Sequence, residues 1–109
     1  MHRSSKLVFV LGAWLAAAPA AHAAQEFVVG QKNKAFSVKK LAVKVGDTVK
    51  FVNEDPLSHN IFSLSDAKSF DLGVFGQGQS RSVTFDKPGL IEVECAVHPD
   101  MKMVVEVTK

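Results

Sequence analysis

A cluster of potential metal ligands lies near the end of the chain, in the stretch CAVHPDMKM. It holds the only cysteine of the chain, Cys95, together with His98, Met101 and Met103. A further histidine, His59, precedes the cysteine by 36 positions. Soft sulfur donors select copper, and two histidines, one cysteine and a weak axial methionine form the blue-copper arrangement. These residue types therefore predict a copper site.

Each of these residues also has a structural interpretation. Alone, Cys95 would more often be a small buried apolar residue, and either methionine would more often fill a gap in a core. Zinc accepts the same nitrogen and sulfur donors but seldom needs a thioether. Packing explains the combination poorly, because a C-x2-H pattern followed by methionine is a rare coincidence in so short a chain. The spacing favours a metal site.

The segments that must position these residues alternate between apolar and polar side chains. A period of two is typical of β-strands with one buried face, and no segment of convincing length has the period of a helix. The predicted strands read EFVVG, LAVKV, TVKFVN, HNIFSL, SVTF, LIEVEC and MVVEV. Their predicted inward residues are Leu41, Val43, Val45, Val49, Phe51, Val83, Phe85, Ile91, Val93, Cys95, Val105 and Val107. Gly46-Asp47 and Lys87-Pro88-Gly89 are turn signals between them.

Short strands at regular spacing predict an all-β fold, an antiparallel Greek-key β-sandwich of about seven or eight strands. The segment from Ser65 to Ser80 is the least regular and contains three glycines. His59 begins one predicted strand, Cys95 ends another on its inward face, and His98 follows in the turn. The ligands would then lie between neighbouring loops at one end of the sandwich.

The first 23 residues have the pattern of a secretory signal peptide. A basic start precedes an apolar run from Leu7 to Ala18, and the segment ends in the small-x-small sequence Ala21-His22-Ala23. The apolar run is too short to span a bilayer comfortably. We therefore expect residues 1–23 to be removed. We expect residues 24–109 to form one periplasmic domain without a membrane span.

Removal of this segment changes the charge balance. Two of the 13 lysines and arginines lie in it but none of the 11 acidic residues does, so residues 24–109 carry equal numbers of both. No basic cluster points to nucleic acid as a partner. A single cysteine has no internal disulfide partner, and a free thiol is vulnerable in an oxidising compartment. Binding to a metal would protect Cys95.

Three stretches together resemble the cupredoxins, the small type 1 blue-copper proteins that include amicyanin, plastocyanin and pseudoazurin. The spacing Cys95-x2-His98-x2-Met101, with proline after the histidine, resembles the copper loop in its short form. VGDTVKFVNEDPLSHNIFS resembles the upstream family signature, and FDKPGLIEVEC resembles the strand that leads to the copper-binding cysteine. The resemblance extends from about Leu41 to Val107.

This resemblance implies one type 1 copper ion bound by His59, Cys95, His98 and Met101. It also implies that Asn60 ties the loop of His59 to the loop of Cys95. The fold would be the cupredoxin form of the sandwich predicted above.

The identity of the axial methionine stays open between Met101 and Met103. The longer spacing of plastocyanin and pseudoazurin would select Met103. Family members carry about as many residues after the axial methionine as here follow Met101, and Met103 has a sufficient role as the first core residue of the last strand. Both side chains share one face of that strand, so parity does not separate them. Met101 is the prediction.

The function implied by the resemblance is one-electron transfer between protein redox partners, without substrate turnover. Partners would dock transiently near His98, where Pro99, Leu57 and Val97 could form a small apolar patch. By family analogy the carrier would be a monomer. The alternative is a periplasmic copper carrier or copper-resistance protein of the same fold, although no methionine-rich or histidine-rich tract follows the predicted cleavage site. A copper enzyme would need further histidines beyond His59 and His98.

Overall fold

The computed structural model describes residues 22–109, which form nine β-strands in two sheets. In chain order the strands are β1 (Glu26–Lys32), β2 (Ala35–Phe36), β3 (Lys40–Lys44), β4 (Thr48–Asn53), β5 (His59–Ser65), β6 (Lys68–Phe75), β7 (Ser80–Thr84), β8 (Gly89–Cys95) and β9 (His98–Thr108). Within this part of the chain, no helix is long and apolar enough to cross a membrane. The predicted signal peptide lies outside the described residues except for its last two positions, and it stays a prediction.

The core lies between the two sheets and is built by the alternation seen in the sequence. In β4 the side chains of Val49 and Phe51 are buried while their neighbours are partly exposed. In β8 the inward residues Ile91, Val93 and Cys95 are likewise buried. Full burial of one such aliphatic or aromatic side chain stabilises the fold by about 1.5–3 kcal/mol. The all-β sandwich is therefore confirmed.

The sheet topology differs from the predicted antiparallel arrangement in two pairs of strands. One sheet has the order β2-β1-β4-β7 and the other has the order β3-β9-β8-β5-β6. Strands β1 and β4 are parallel, and so are β3 and β9. Alternation reveals which face of a strand is buried but not which strand lies beside it, so the sequence pattern does not reveal the parallel pairs.

The strand count also exceeds the predicted seven or eight. β6 lies inside the segment from Ser65 to Ser80 that was expected to be least regular, and β2 has only two residues. Val45, predicted to point inward, is 36% exposed. The reason is that β3 ends at Lys44 and the turn at Gly46 follows.

The strands that carry the predicted ligands are neighbours in the five-stranded sheet. β8 lies between β9 and β5, and Ile61 of β5 pairs with Cys95 at the end of β8. Cys95 also pairs with His98 at the start of β9, across a shift in register. His59, which begins β5, therefore reaches the same end of the sheet as Cys95 and His98.

Candidate metal centre

Three potential ligand atoms converge at this end of the sandwich. The sulfur of Cys95 lies 3.5 Å from Nδ1 of His59 and 3.7 Å from Nδ1 of His98. The two imidazole rings meet edge to face, with their centroids 5.0 Å apart. Ligand atoms of all three side chains lie within 4.8 Å of one another. The structure thus brings together the histidines and the cysteine that the sequence predicted as ligands.

The three side chains differ in their access to solvent. His59 is fully buried, Cys95 is a buried free cysteine, and His98 is half-buried. Burial shields the thiol of Cys95 from the oxidising surroundings that the sequence predicts. His98 is the ligand candidate nearest to solvent, so a partner molecule would reach the site most directly there.

The two methionines of β9 are equally buried but occupy different surroundings. Each has 2% of its surface exposed. Met103 lies opposite Val93 within the sheet, whereas Met101 lines the same shallow depression as His98. These positions favour Met101 as the methionine beside the histidines. Its role as an axial ligand stays a prediction.

Asp55 contacts the ring of His59 at the nitrogen that faces away from the cysteine. Its Oδ2 accepts a hydrogen bond from Nε2 of His59 at 2.7 Å. An ionised carboxylate can only accept hydrogen bonds, so the proton of the neutral imidazole lies on Nε2. Nδ1 is then free to bind a metal, which is how a carboxylate commonly orients a metal-binding histidine.

Two main-chain amides hold the carboxylate of Asp55 from the other side. The N–H of Asn33 donates to Oδ1 at 2.6 Å, and the N–H of Lys34 donates to Oδ2 at 3.0 Å. Burial raises the pKa of Asp55, but the hydrogen bonds from the Lys34 amide, the His59 ring and the Asn33 amide outweigh it and hold the pKa below its usual value. The carboxylate therefore carries its charge at neutral pH.

Asn53 fixes the loop that carries Asp55. Its Oδ1 accepts a hydrogen bond from the N–H of Asp55 at 2.7 Å. Its Nδ2 donates to the carbonyl oxygens of Leu57 at 2.9 Å and Phe75 at 3.0 Å. The loop between β4 and β5 is thus tied to the end of β6 before it reaches His59.

Asn60 connects the two ligand loops through its main chain rather than its side chain. Its side-chain amide donates to Oδ1 of Asp71 at 2.7 Å. The N–H of Ala96, next to Cys95, donates to the carbonyl oxygen of Asn60 at 2.9 Å. The link implied by the family resemblance is present, but the Asn60 side chain does not make it.

The surface around His98 is apolar and has a charged margin. Val97 is 56% exposed, Leu57 is 45% exposed, and Pro99 is exposed as well. Lys34 and Asp100 line the same depression as Val97, His98 and Pro99. The three residues predicted to form a docking patch are therefore accessible, and the patch itself stays a prediction.

The donor set fits copper. Two imidazole nitrogens and one thiolate, with a thioether nearby, form the combination that distinguishes copper from harder metal ions. A sequence profile described as copper-binding proteins of the plastocyanin/azurin family matches residues 23–108. The chain belongs to this family. Its cofactor is copper, and His59, Cys95 and His98 have the arrangement of a type 1 copper site.

Individual relatives of this cupredoxin agree with the family assignment. The chain is 34% identical over 83 residues to amicyanin from Paracoccus denitrificans, a match that covers 65% of this chain and 58% of the relative. It is 30% identical over 86 residues to the methylamine utilization protein MauL of Methylorubrum extorquens, covering 78% and 75%. The first match thus spans less than two thirds of the length of that amicyanin.

Solved structures give the same fold. An oxidised amicyanin mutant is similar with a TM-score of 0.69 and 27% identity, covering 74% of this chain and 80% of that one. The copper-containing nitrite reductase (NirK) from Thermus scotoductus SA-01 is similar with a TM-score of 0.73 and 29% identity. That match covers 85% of this cupredoxin but only 24% of the nitrite reductase.

Sequence reasoning did not identify Asp55 or Asn53 as parts of the site. A carboxylate four positions before a predicted ligand histidine is the signal that could have found Asp55. Nothing in the sequence marks Asn33 and Lys34, which lie more than 20 positions before Asp55. They reach the site because the parallel pairing of β1 with β4 brings their turn beside the loop that carries Asp55.

Proposed function

We propose that this cupredoxin is a periplasmic one-electron carrier whose copper ion is bound by His59, Cys95, His98 and Met101. The observation that carries the proposal is the convergence of two Nδ1 atoms on one buried thiol, in a member of a copper-binding family. Bound copper supplies the Cu(I)/Cu(II) couple. The protein itself makes and breaks no substrate bond in this function, so we propose no enzymatic turnover.

A rigid ligand frame supports electron transfer. The three ligand side chains come from adjacent strands, and the N–H of Ala96 bonds the cysteine loop to the histidine loop. Asp55 holds His59 from behind. Ligands that are already fixed move little when the charge at the site changes by one, so little energy is spent on rearrangement at each transfer.

The exposed patch around His98 supports transient docking of redox partners. Val97, Leu57 and Pro99 offer apolar contact, and small interfaces of this kind suit short-lived electron-transfer complexes. Docking there would place the partner next to the ligand that is nearest to solvent. We propose that the carrier acts there as a monomer.

Export to the periplasm rests on the predicted signal peptide, residues 1–23. We expect the protein isolated from a bacterial periplasm to begin at Ala24 and to comprise one domain, residues 24–109. Intact mass spectrometry of the periplasmic fraction tests both points, and a mass that includes residues 1–23 would contradict the proposed cleavage.

The visible absorption spectrum of residues 24–109, before and after addition of Cu(II), tests the function. We expect an intense blue band from thiolate-to-copper charge transfer, which a mild reductant removes and an oxidant restores. Cys95→Ser should lose the band. Ala96→Ser, which adds a hydroxyl at the exposed neighbouring position, should keep it. A wild-type protein that stays colourless with Cu(II) would contradict the proposal.

Copper retention during redox cycling separates a carrier of electrons from a carrier of copper. We expect the blue protein to pass through many cycles while a Cu(I) chelator in solution stays empty. Transfer of copper to the chelator at each reduction would instead favour the copper-carrier or copper-resistance function.

A further inference from the structure

The carboxylate of Asp55 is the meeting point of two parts of the chain that are distant in sequence. It accepts hydrogen bonds from Nε2 of His59 and from the two main-chain amides of the turn between β1 and β2. We propose that Asp55 is a positioning residue that holds His59 in the metal-binding tautomer and favours Cu(II) over Cu(I) through its charge. The second part rests on the proposed function, whereas the first concerns the protein without copper.

Asp55 selects the tautomer of the His59 ring. A neutral imidazole carries its proton on either nitrogen, and the partner of one nitrogen decides the state of the other. With Asp55 as the acceptor at Nε2, the lone pair of His59 lies on Nδ1, which faces the sulfur of Cys95. A copper ion would then meet a ligand that needs neither deprotonation nor rotation.

The negative charge of Asp55 would act on the bound copper ion. Asp55 is buried with 4% of its surface exposed, so water screens its carboxylate poorly. One imidazole ring separates this negative charge from the metal-facing nitrogen. A nearby negative charge stabilises the more positive Cu(II) state more than Cu(I), and it therefore lowers the reduction potential.

The turn between β1 and β2 keeps the charged carboxylate of Asp55 in place. The turn between β1 and β2 has positive φ at both central residues, 55° at Asn33 and 58° at Lys34. Asparagine tolerates this conformation, but lysine adopts it rarely. The conformation directs both amides at Asp55. The hydrogen bonds to Asp55 thus offset the cost of a lysine at this turn position.

The same turn extends to the docking surface. Lys34 lines the depression that also contains His98 and Met101. Asp55 therefore connects His59, the innermost ligand, with a residue on the surface where partners are proposed to dock.

Asp47 provides a matched control. It is also buried, and its carboxylate also accepts hydrogen bonds from two main-chain amides, those of Gln25 and Lys44. Its third partner, Nε2 of His22, belongs to the segment that we expect to be removed, so residues 24–109 keep the two amide bonds alone. Asp47 precedes β4, whereas Asp55 follows β4, so about 20 Å of strand separates the two loops. Asp47→Asn and Asp55→Asn make the same chemical change in similar surroundings, but only the second touches a ligand.

Nitrogen-15 NMR of the histidine rings in copper-free protein, residues 24–109, tests the tautomer. We expect the His59 ring of the wild type to carry its proton on Nε2, and Asp55→Asn to show a mixture of both tautomers. Asp47→Asn should match the wild type. A wild-type His59 with its proton on Nδ1 overturns the proposal without the need for any variant, even if Asp55→Asn does not fold.

Redox titration of the copper-loaded proteins tests the charge. For Asp55→Asn we expect the preference for Cu(II) over Cu(I) to fall about tenfold, within the range found for residues that support metal ligands, which corresponds to a rise of about 59 mV in a one-electron potential. Asp55→Glu, which keeps the charge, should recover part of the change. Equal potentials for Asp55→Asn, Asp47→Asn and wild type would overturn the electrostatic role. A wild type without a blue band would contradict the proposed function but leave the NMR result decisive for His59.

Discussion

At the scale of single residues, substitutions of the two methionines of β9 test whether Met101 is the proposed axial ligand and Met103 a core side chain. Met101→Leu removes the thioether beside the histidines, so we expect a shifted visible band and a raised reduction potential, because a hydrocarbon does not donate to copper. Met103→Leu conserves volume in the core and should cost less than about 1.5 kcal/mol of stability. Its spectrum should match that of the wild type.

Visible spectroscopy and redox titration of both variants check this prediction, with copper-free unfolding as the measure of stability. The opposite pattern, with a normal spectrum in Met101→Leu and a shifted one in Met103→Leu, would make Met103 the axial ligand. The site would then follow the longer spacing between histidine and methionine that the sequence left open.

At the scale of the strands, β8 begins in close contact with the turn before β6. Gly89 has a φ of 148°, and a Cβ added there would lie 2.7 Å from the Cβ of Ala67. Gly46 also has a positive φ, 96°, but has open space around it. Gly89→Ala therefore combines backbone strain with a collision, whereas Gly46→Ala has the strain alone.

We expect Gly46→Ala to lower the free energy of unfolding by about 1–3 kcal/mol, and Gly89→Ala to lower it further. Adding Ala67→Gly to Gly89→Ala should recover the difference, because the second change removes the atom that collides. Denaturant unfolding of the copper-free proteins measures all of these variants. If Gly89→Ala and the double variant are equally unstable, the contact with Ala67 has no effect and backbone strain alone explains the loss.

The strands also show how far the sequence determines the fold. Alternation in β4 and β8 identified Phe51 and Ile91 as core residues, since a half-buried strand must alternate. The same alternation did not predict the parallel partners of β1 and β3, because pairing depends on contacts between segments far apart in the chain. β6 was not predicted because its glycine, Gly73, and its exposed Val74 interrupt the pattern.

In the copper site, too, the sequence predicted the features that depend on neighbouring residues but not those that depend on distant segments. Cys95 and His98 lie three residues apart, so their spacing in the sequence was enough to predict that their side chains lie close together. Asp55 acts on His59 through a loop whose shape depends on Asn53 and on a turn from another strand. Local spacing therefore identified the predicted ligands, whereas the residue that orients one of them became visible only with the tertiary structure.

At the scale of the whole molecule, Asp47 makes stability depend on pH. The amides of Lys44 and Gln25, with a smaller contribution from His22, lower the pKa of Asp47 from 3.8 to about 2. The two amides, which lower it most, remain in residues 24–109, whereas His22 lies in the segment that we expect to be removed. The folded state thus binds this proton less tightly than the unfolded chain. The stabilisation is complete above the unfolded pKa, and it is lost as the pH falls towards the folded pKa.

In Asp47→Asn the side chain at this position carries no carboxyl group and therefore does not titrate. We therefore expect wild type and Asp47→Asn, both without copper, to differ in free energy of unfolding by a constant amount above pH 5, and the difference to narrow between about pH 4 and pH 2. Urea denaturation at a series of pH values measures it. A difference that stays constant down to about pH 2 would show that Asp47 does not titrate in this way.

At the scale of the whole molecule, the balance of charges affects how readily two copies of the protein approach each other. Residues 24–109 carry equal numbers of acidic and basic side chains, and the depression at His98 is lined by apolar residues together with one lysine, Lys34, and one aspartate, Asp100. Electron exchange between an oxidised and a reduced copy should therefore depend little on ionic strength, because neither net charge nor the patch repels the other copy.

Val97→Asp places a like charge on both copies at that contact. We expect exchange at low salt to slow by at least about tenfold, because facing like charges disfavour the encounter, and to recover in part as salt screens them. Val28→Asp, at a position that is 64% exposed on β1, adds the same charge elsewhere and should leave the rate nearly unchanged. NMR line broadening in mixtures of the two redox states measures each rate. Equal slowing by both variants would mean that net charge, and not the surface around His98, governs the encounter, and electron transfer through His98 would lose its support.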